Sequence, residues 1–146
     1  VVSRAFAGSV VAVQPVADFA TEVWRKLGVN VAVNGITALT NRTTDVFGRP
    51  AVADLARDLL RECWRVARLD GAALDDAAAD ATVAGLSARP IGAGTSMLYD
   101  RRAGVPTEHD AIYGAVLRAA ARLGSDAPLI RAVDTLLDAG DPDSTV

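Results

Sequence analysis

Apolar residues recur three and four positions apart along most of the chain, the spacing that gives an α-helix one apolar face. Val16, Phe19, Ala20, Val23, Leu27, Val33, Ile36 and Ala38 carry that pattern and predict a long first helix over about 17–39, with Asp18 suited to its positive end. Gly28 and Gly35 lie inside it, each costing about 1 kcal/mol relative to alanine, and such glycines invite close approach of another backbone. The polar, Gly-Pro-bearing stretch TNRTTDVFGRP ends this helix. A second helix follows over about 51–69, with Val52, Leu55, Leu59, Leu60, Cys63, Trp64 and Val66 as its buried stripe and Asp70-Gly71 as its stop.

A third helix, over about 74–88, is alanine-rich, acidic at its start, and halts before Arg89-Pro90. IGAGTSMLYDRRAGVP reads as a loop with one or two helical turns near 96–101, the best loop in the chain for carrying function. Pro106 announces the next helix, with Thr107 as cap and Asp110 completing a capping box, and it ends at Gly124. A last helix is expected over about 128–139, then a fraying tail. The β-branched SVVAVQP, 9–15, reads as an extended connector. With strand-like alternation scarce and no repeat or sustained heptad seam, the fold class is all-α: a five- or six-helix globular domain.

The chain's 146 residues, 51% hydrophobic and 23% charged, suffice for one core that folds without a metal or disulfide. A net charge of -3 offers nucleic acid and anionic membranes no general attraction. Cys63 is the only cysteine, which excludes an intrachain disulfide and a multi-cysteine zinc site and fits a reducing, cytoplasmic setting. No apolar run approaches the ~18 residues of a membrane span. The chain starts at Val1 without methionine, within what reads as a helix, so an upstream segment is expected. Of fifteen basic residues only Lys26 is lysine, which marks it as a position where a compact ammonium able to give up a proton serves better than a guanidinium.

Lys26, Asn30 and Asn34 follow at i, i+4 and i+8, so their side chains stack on one face of the first helix. Asparagine is a poor helix former, and the apolar neighbours Val29, Val31, Ala32 and Val33 predict that the stripe is buried and its amides in need of partners. One protonated donor and two amides that both donate and accept suit a small oxygen-rich ligand: the ammonium can protonate a carbonyl oxygen while the amides hold hydroxyl and carboxylate groups. Glu108 stands at a helix start, where a carboxylate is favoured in any case, and Ser96 follows a glycine-rich loop. His109, the only histidine, has no partner at a recognisable spacing and reads as a surface residue. No dinucleotide fingerprint, phosphate-binding lysine motif, nucleophile elbow or paired-histidine metal motif occurs.

These residues resemble the C-terminal helical domain of the ketopantoate reductase (2-dehydropantoate 2-reductase) family, with a 6-phosphogluconate dehydrogenase C-terminal-like fold. The matching stretches are EVWRKLGVNVAVNGITAL, 22–39, and TSMLYDRRAGVPTEHDAIYG, 95–114. They combine W-R-K-L, asparagines four and eight after the lysine, S-M-L-x-D, and T-E-x-D with its glutamate twelve residues after the serine. The resemblance implies that Lys26 donates the proton to the ketone oxygen, that Asn30, Asn34 and Ser96 bind substrate, and that Glu108 reaches substrate and the nicotinamide ribose of NADPH. Thr44 stands where the family commonly offers another polar substrate contact, often asparagine. His109 and Tyr113 replace the isoleucine and asparagine of the family's T-E-I-D-x-x-N-G, which leaves the identity of the 2-oxoacid open.

The resemblance also implies an N-terminal Rossmann domain as partner, a 2-oxoacid as substrate, a place in pantothenate biosynthesis, and a homodimer. Residues 1–146 then form one substrate-binding and dimerisation-type domain, with the nucleotide-binding half outside this sequence. Hydride transfer needs a nicotinamide held against the ketone, so these residues by themselves are expected to be catalytically silent. The competing expectation is a free-standing helical interaction or oligomerisation module, in which Gly28, Gly35 and the long first helix serve packing alone.

Overall fold

The carboxylate of Asp18 accepts hydrogen bonds from the backbone N–H of Thr21 at 3.0 Å and from its hydroxyl at 2.6 Å, starting the first helix where its dipole favours negative charge. A computed structural model describes residues 16–87 and 92–142. They form six α-helices: Phe19–Thr40 (α1), Pro50–Leu69 (α2), Asp76–Ser87 (α3), Ser96–Ala103 (α4), Ala115–Arg122 (α5) and Pro128–Gly140 (α6). A 3-10 turn, Thr44–Gly48, joins α1 to α2, and a wider π turn, Asp110–Gly114, runs straight into α5. No strand occurs among the described residues, as the sequence pattern predicts. The expected connector at 9–15 lies outside them.

Helix α1 is the axis on which α2, α4, α6 and the π turn pack. From Val31 to Ala38 every residue is buried, a helix enclosed on all sides. Both glycines of α1 sit at close approaches, of side chains rather than of the expected backbone: a Cβ on Gly28 would stand 2.4 Å from Nε1 of Trp64, and one on Gly35 2.2 Å from the Tyr113 hydroxyl. Trp64, Leu59, Leu60, Cys63 and Val66 of α2 fill the centre with Phe47, Met97 and Ile130. Asp70, closing α2, accepts from Trp24 Nε1 at 3.1 Å and Arg122 at 2.8 Å, tying α1 and α5 to the end of α2. The Glu62 carboxylate accepts the backbone N–H groups of Leu129 and Ile130, covering donors that the first turn of α6 cannot satisfy internally.

Three expectations change. Val16, Phe19 and Val23 are exposed, Phe19 by 71%, because nothing described packs beside the first turns of α1 beyond Thr21 and Trp24. Leu55 is likewise at the surface of α2. Thr107 does not cap the following helix: its backbone N–H and hydroxyl both donate to Asp141, while Asp110 pairs with Arg118. A carboxylate brought in from the end of α6 outcompetes the local box.

Cys63 is fully buried, and desolvation of its thiolate pushes the thiol up to about 12 from the ordinary 9.0. Near pH 8 the folded chain should therefore resist alkylation by iodoacetamide, while urea-unfolded chain labels fully; labelling of both at one rate would contradict this burial. The sign of the linkage also follows. Below 9.0 both states hold the proton, and as pH rises from there toward 12 unfolding releases it, so stability falls through that interval.

Candidate active site

The stripe predicted on α1 exists, but its burial is graded. Asn34 is buried, Asn30 half-buried and Lys26 exposed, so the expectation of a wholly buried stripe holds only at its inner end. The cause is the same shortage of neighbours that exposes Phe19 and Val23. Lys26 makes no ion pair with another described residue, and no described residue hydrogen-bonds the amide of Asn30 or Asn34. Eight residues of helix separate Lys26 from Asn34, a rise of about 12 Å. The wall is thus long, polar, dry at one end and open at the other.

The loop before α4 and the 3-10 turn close on the inner end. The Thr37 hydroxyl donates to the Asn34 carbonyl at 2.9 Å and meets the Thr95 hydroxyl at 2.7 Å. With the Thr37 proton committed to that carbonyl, Thr95 is the donor of the pair. Thr95 also caps α4, accepting from the Leu98 N–H at 3.1 Å. Arg102, at the other end of α4, grips Asn41, the left-handed C-cap of α1, through its side chain at 2.8 Å and its carbonyl at 3.0 Å. Helix α4 is therefore clamped to the last turns of α1 at both ends, which fixes where Ser96 stands.

From that position the Ser96 hydroxyl donates to Glu108 Oε1 at 2.9 Å. Both side chains are exposed, leaving Glu108 Oε2 free to accept from a ligand. Thr44 N–H donates to the Ala93 carbonyl at 2.9 Å, which seats the 3-10 turn against the same loop. Its hydroxyl is buried and has no hydrogen-bond partner among the described residues. A buried hydroxyl without a partner carries a desolvation cost.

The structure thus brings Ser96 into contact with Glu108 and links Asn34 to the Thr95–Ser96 loop through Thr37. Thr44 adjoins that loop. Asn30 and Lys26 join only through the helix that carries them, and Lys26 makes no contact with the Ser96–Glu108 pair. Sequence reasoning missed Thr37 and Thr95, although Thr37 lies one turn beyond Asn34 and Thr95 immediately precedes Ser96. It also misjudged His109, which is half-buried with Nδ1 2.7 Å from Asp134 and Nε2 3.7 Å from Asp138. That imidazole lines a cavity of about 410 Å³ with Thr107, Asp138 and Asp141, away from the α1 stripe.

A family model described as "Ketopantoate reductase PanE/ApbA C terminal" matches residues 18–140. The chain belongs to that family. Among curated proteins this ketopantoate reductase C-terminal domain is similar to a 2-dehydropantoate 2-reductase of Mycobacterium tuberculosis, with 41% identity over 91% of this chain and 44% of the relative. A 2-dehydropantoate 2-reductase of Caulobacter vibrioides is 36% identical over 92% of this chain and 46% of its own length. The chain therefore spans less than half the length of these curated relatives. A solved dimeric ketopantoate reductase from Staphylococcus aureus superposes with a TM-score of 0.88 at 30% identity, covering 95% of this chain and 50% of that one. The family's helical fold is what the sequence pattern predicts.

Because the Thr44 hydroxyl has no partner among the described residues, Thr44→Val should leave the urea midpoint of this domain unchanged or slightly higher. A loss of about 1 kcal/mol would mean that the chain itself satisfies the hydroxyl.

Proposed function

We propose that this domain is the substrate-binding half of an NADPH-dependent 2-oxoacid reductase that converts ketopantoate to pantoate in pantothenate biosynthesis. The observation that carries the reading is the polar wall from Lys26 to Asn34, joined through Thr37 and Thr95 to the Ser96–Glu108 pair. It is half a site. Its outer end faces away from the described core, where a nucleotide-binding domain can close it and exclude water.

In this reading the substrate carboxylate and hydroxyl meet the amides of Asn30 and Asn34 and the hydroxyls of Ser96 and Thr44. Lys26 directs its ammonium at the ketone oxygen. NADPH, when bound, supplies a hydride to the ketone carbon. The Lys26 proton goes to the oxygen as its charge develops, giving the alcohol and a neutral amine. Glu108 fits the ribose of that cofactor: Ser96 holds one carboxylate oxygen, and the other is exposed and able to accept from a ribose hydroxyl. The sequence carries no G-x-G-x-x-G motif, so the pyrophosphate and adenosine fall to an N-terminal Rossmann domain and this domain alone is silent. The dimeric state of the S. aureus relative supports a homodimer, and the single buried cysteine suits the cytoplasm.

The test is NADPH oxidation by the intact gene product against a panel of 2-oxoacids, with no oxidation of any of them defeating the reading. Lys26→Ala should lower kcat about a hundredfold or more with the fold intact, the usual range for a lost general acid, and an unchanged kcat would remove the proton donor. Asn34→Ala should raise KM about tenfold, the effect of one lost ligand hydrogen bond to a buried group. Equal KM values would take Asn34 out of the site.

A further inference from the structure

Tyr113 is fully buried, and its hydroxyl is partnered by backbone groups of the helix that carries the residues assigned to substrate. The phenol donates to the Val31 carbonyl at 2.6 Å and accepts from the Gly35 N–H at 2.9 Å. Those two backbone groups are the i and i+4 partners that an uninterrupted α-helix joins directly. A side chain inserted at such a step is one of the few recognised causes of a helix bend. The step begins one residue after Asn30 and ends one residue after Asn34. Only glycine admits the insertion, since a Cβ on residue 35 would lie 2.2 Å from the hydroxyl.

The other end of this contact is equally specific. Tyr113 sits in the π turn Asp110–Gly114, a winding rare in proteins and frequent at functional sites. The turn starts two residues after Glu108, whose carbonyl accepts from the Ile112 N–H at 3.3 Å. One short segment therefore presents the carboxylate that Ser96 holds and, five residues on, the hydroxyl that enters α1. Burial holds the phenol well above its ordinary range, so it stays a fixed donor to Val31. A ring that merely filled space would need one acceptor; this one both donates and accepts, at a step that contains Asn34 and directly follows Asn30.

We infer that Tyr113 is a positioning residue: by bridging Val31 and Gly35 it sets the register and rotation of the Lys26–Asn30–Asn34 stripe relative to Glu108. The inference rests on the functional reading above. It makes this buried phenol part of how the domain aligns the two sides of its site.

The test is Tyr113→Phe in the intact gene product, which keeps the ring and removes both hydrogen bonds. The side-chain amide resonance of Asn34, assigned by its disappearance in Asn34→Asp, should shift in Tyr113→Phe. The kcat/KM for the preferred 2-oxoacid should fall between about tenfold and about a hundredfold, the scale of a small misplacement of a reacting group. The pH profile should stay in place, because Tyr113 exchanges no proton. An unmoved Asn34 resonance, or an unchanged kcat/KM per folded enzyme, overturns the inference. Gly35→Ala, which evicts the hydroxyl and keeps Tyr113, should reproduce the Asn34 shift; if Tyr113→Phe does not fold, an unmoved Asn34 resonance in Gly35→Ala overturns the inference in its place. Failure of the functional reading is a separate result: Lys26→Ala would keep full turnover, or the wild type would oxidise no NADPH, while the Asn34 resonance still decides the positioning role.

Discussion

Two absent side chains on α1 let the rest of the molecule close. At Gly28 the helix surface is bare backbone, and Trp64 and Leu60 of α2 come within a distance that any Cβ would forbid. At Gly35 the same vacancy admits the Tyr113 hydroxyl and the Val133 side chain. Each glycine costs helix propensity, and each is offset by the contacts it permits: a fully buried indole at one, two backbone hydrogen bonds at the other. Because α1 is enclosed from Val31 to Ala38, its inner turns hold their side chains in one arrangement, and a binding surface built on them inherits that rigidity.

The candidate site uses this asymmetry. Its inner end is anchored where α1 is enclosed, through Asn34, Thr37 and Thr95, while its outer end, at Lys26, projects where α1 has few neighbours. An amide in a dry setting holds a ligand oxygen strongly because water does not compete. An ammonium in an open setting needs another surface to exclude water before it transfers a proton selectively. A surface built this way can hold one side of a ligand and leave the other to a second surface, which is what the proposed function requires of it. That logic agrees with a chain spanning less than half of its curated relatives.

The hydrogen bonds that shape the site are mostly long in sequence and short in space. Thr37 meets Thr95, Ser96 meets Glu108 and Tyr113 reaches Val31, while away from the site Thr107 turns to Asp141 just past α6 and His109 to Asp134 within it. Each is a choice between a local partner and a distant one. Thr107 shows the competition plainly. A capping box with Asp110 was available within the same turn, but Asp141 offers one oxygen to two donors of Thr107 at once, and Asp110 is drawn to Arg118.

By itself the chain determined its helices, since periodicity, Asp18, Asp70-Gly71 and the prolines at 50 and 128 act within a few residues of where they stand. It also determined that Lys26, Asn30 and Asn34 share a face, because helical geometry follows from spacing alone, and that Gly28 and Gly35 mark close approaches, though of side chains and not of the expected backbone. Only the tertiary structure decided how dry each of those positions is. Burial depends on what packs alongside, so Asn34 is enclosed, Lys26 is not, and Phe19 and Leu55 lie outside despite their places in an apolar pattern. The roles of Thr37, Thr95, His109 and Tyr113 were likewise beyond reach of the sequence, because a hydrogen bond acquires its partner only when distant segments meet.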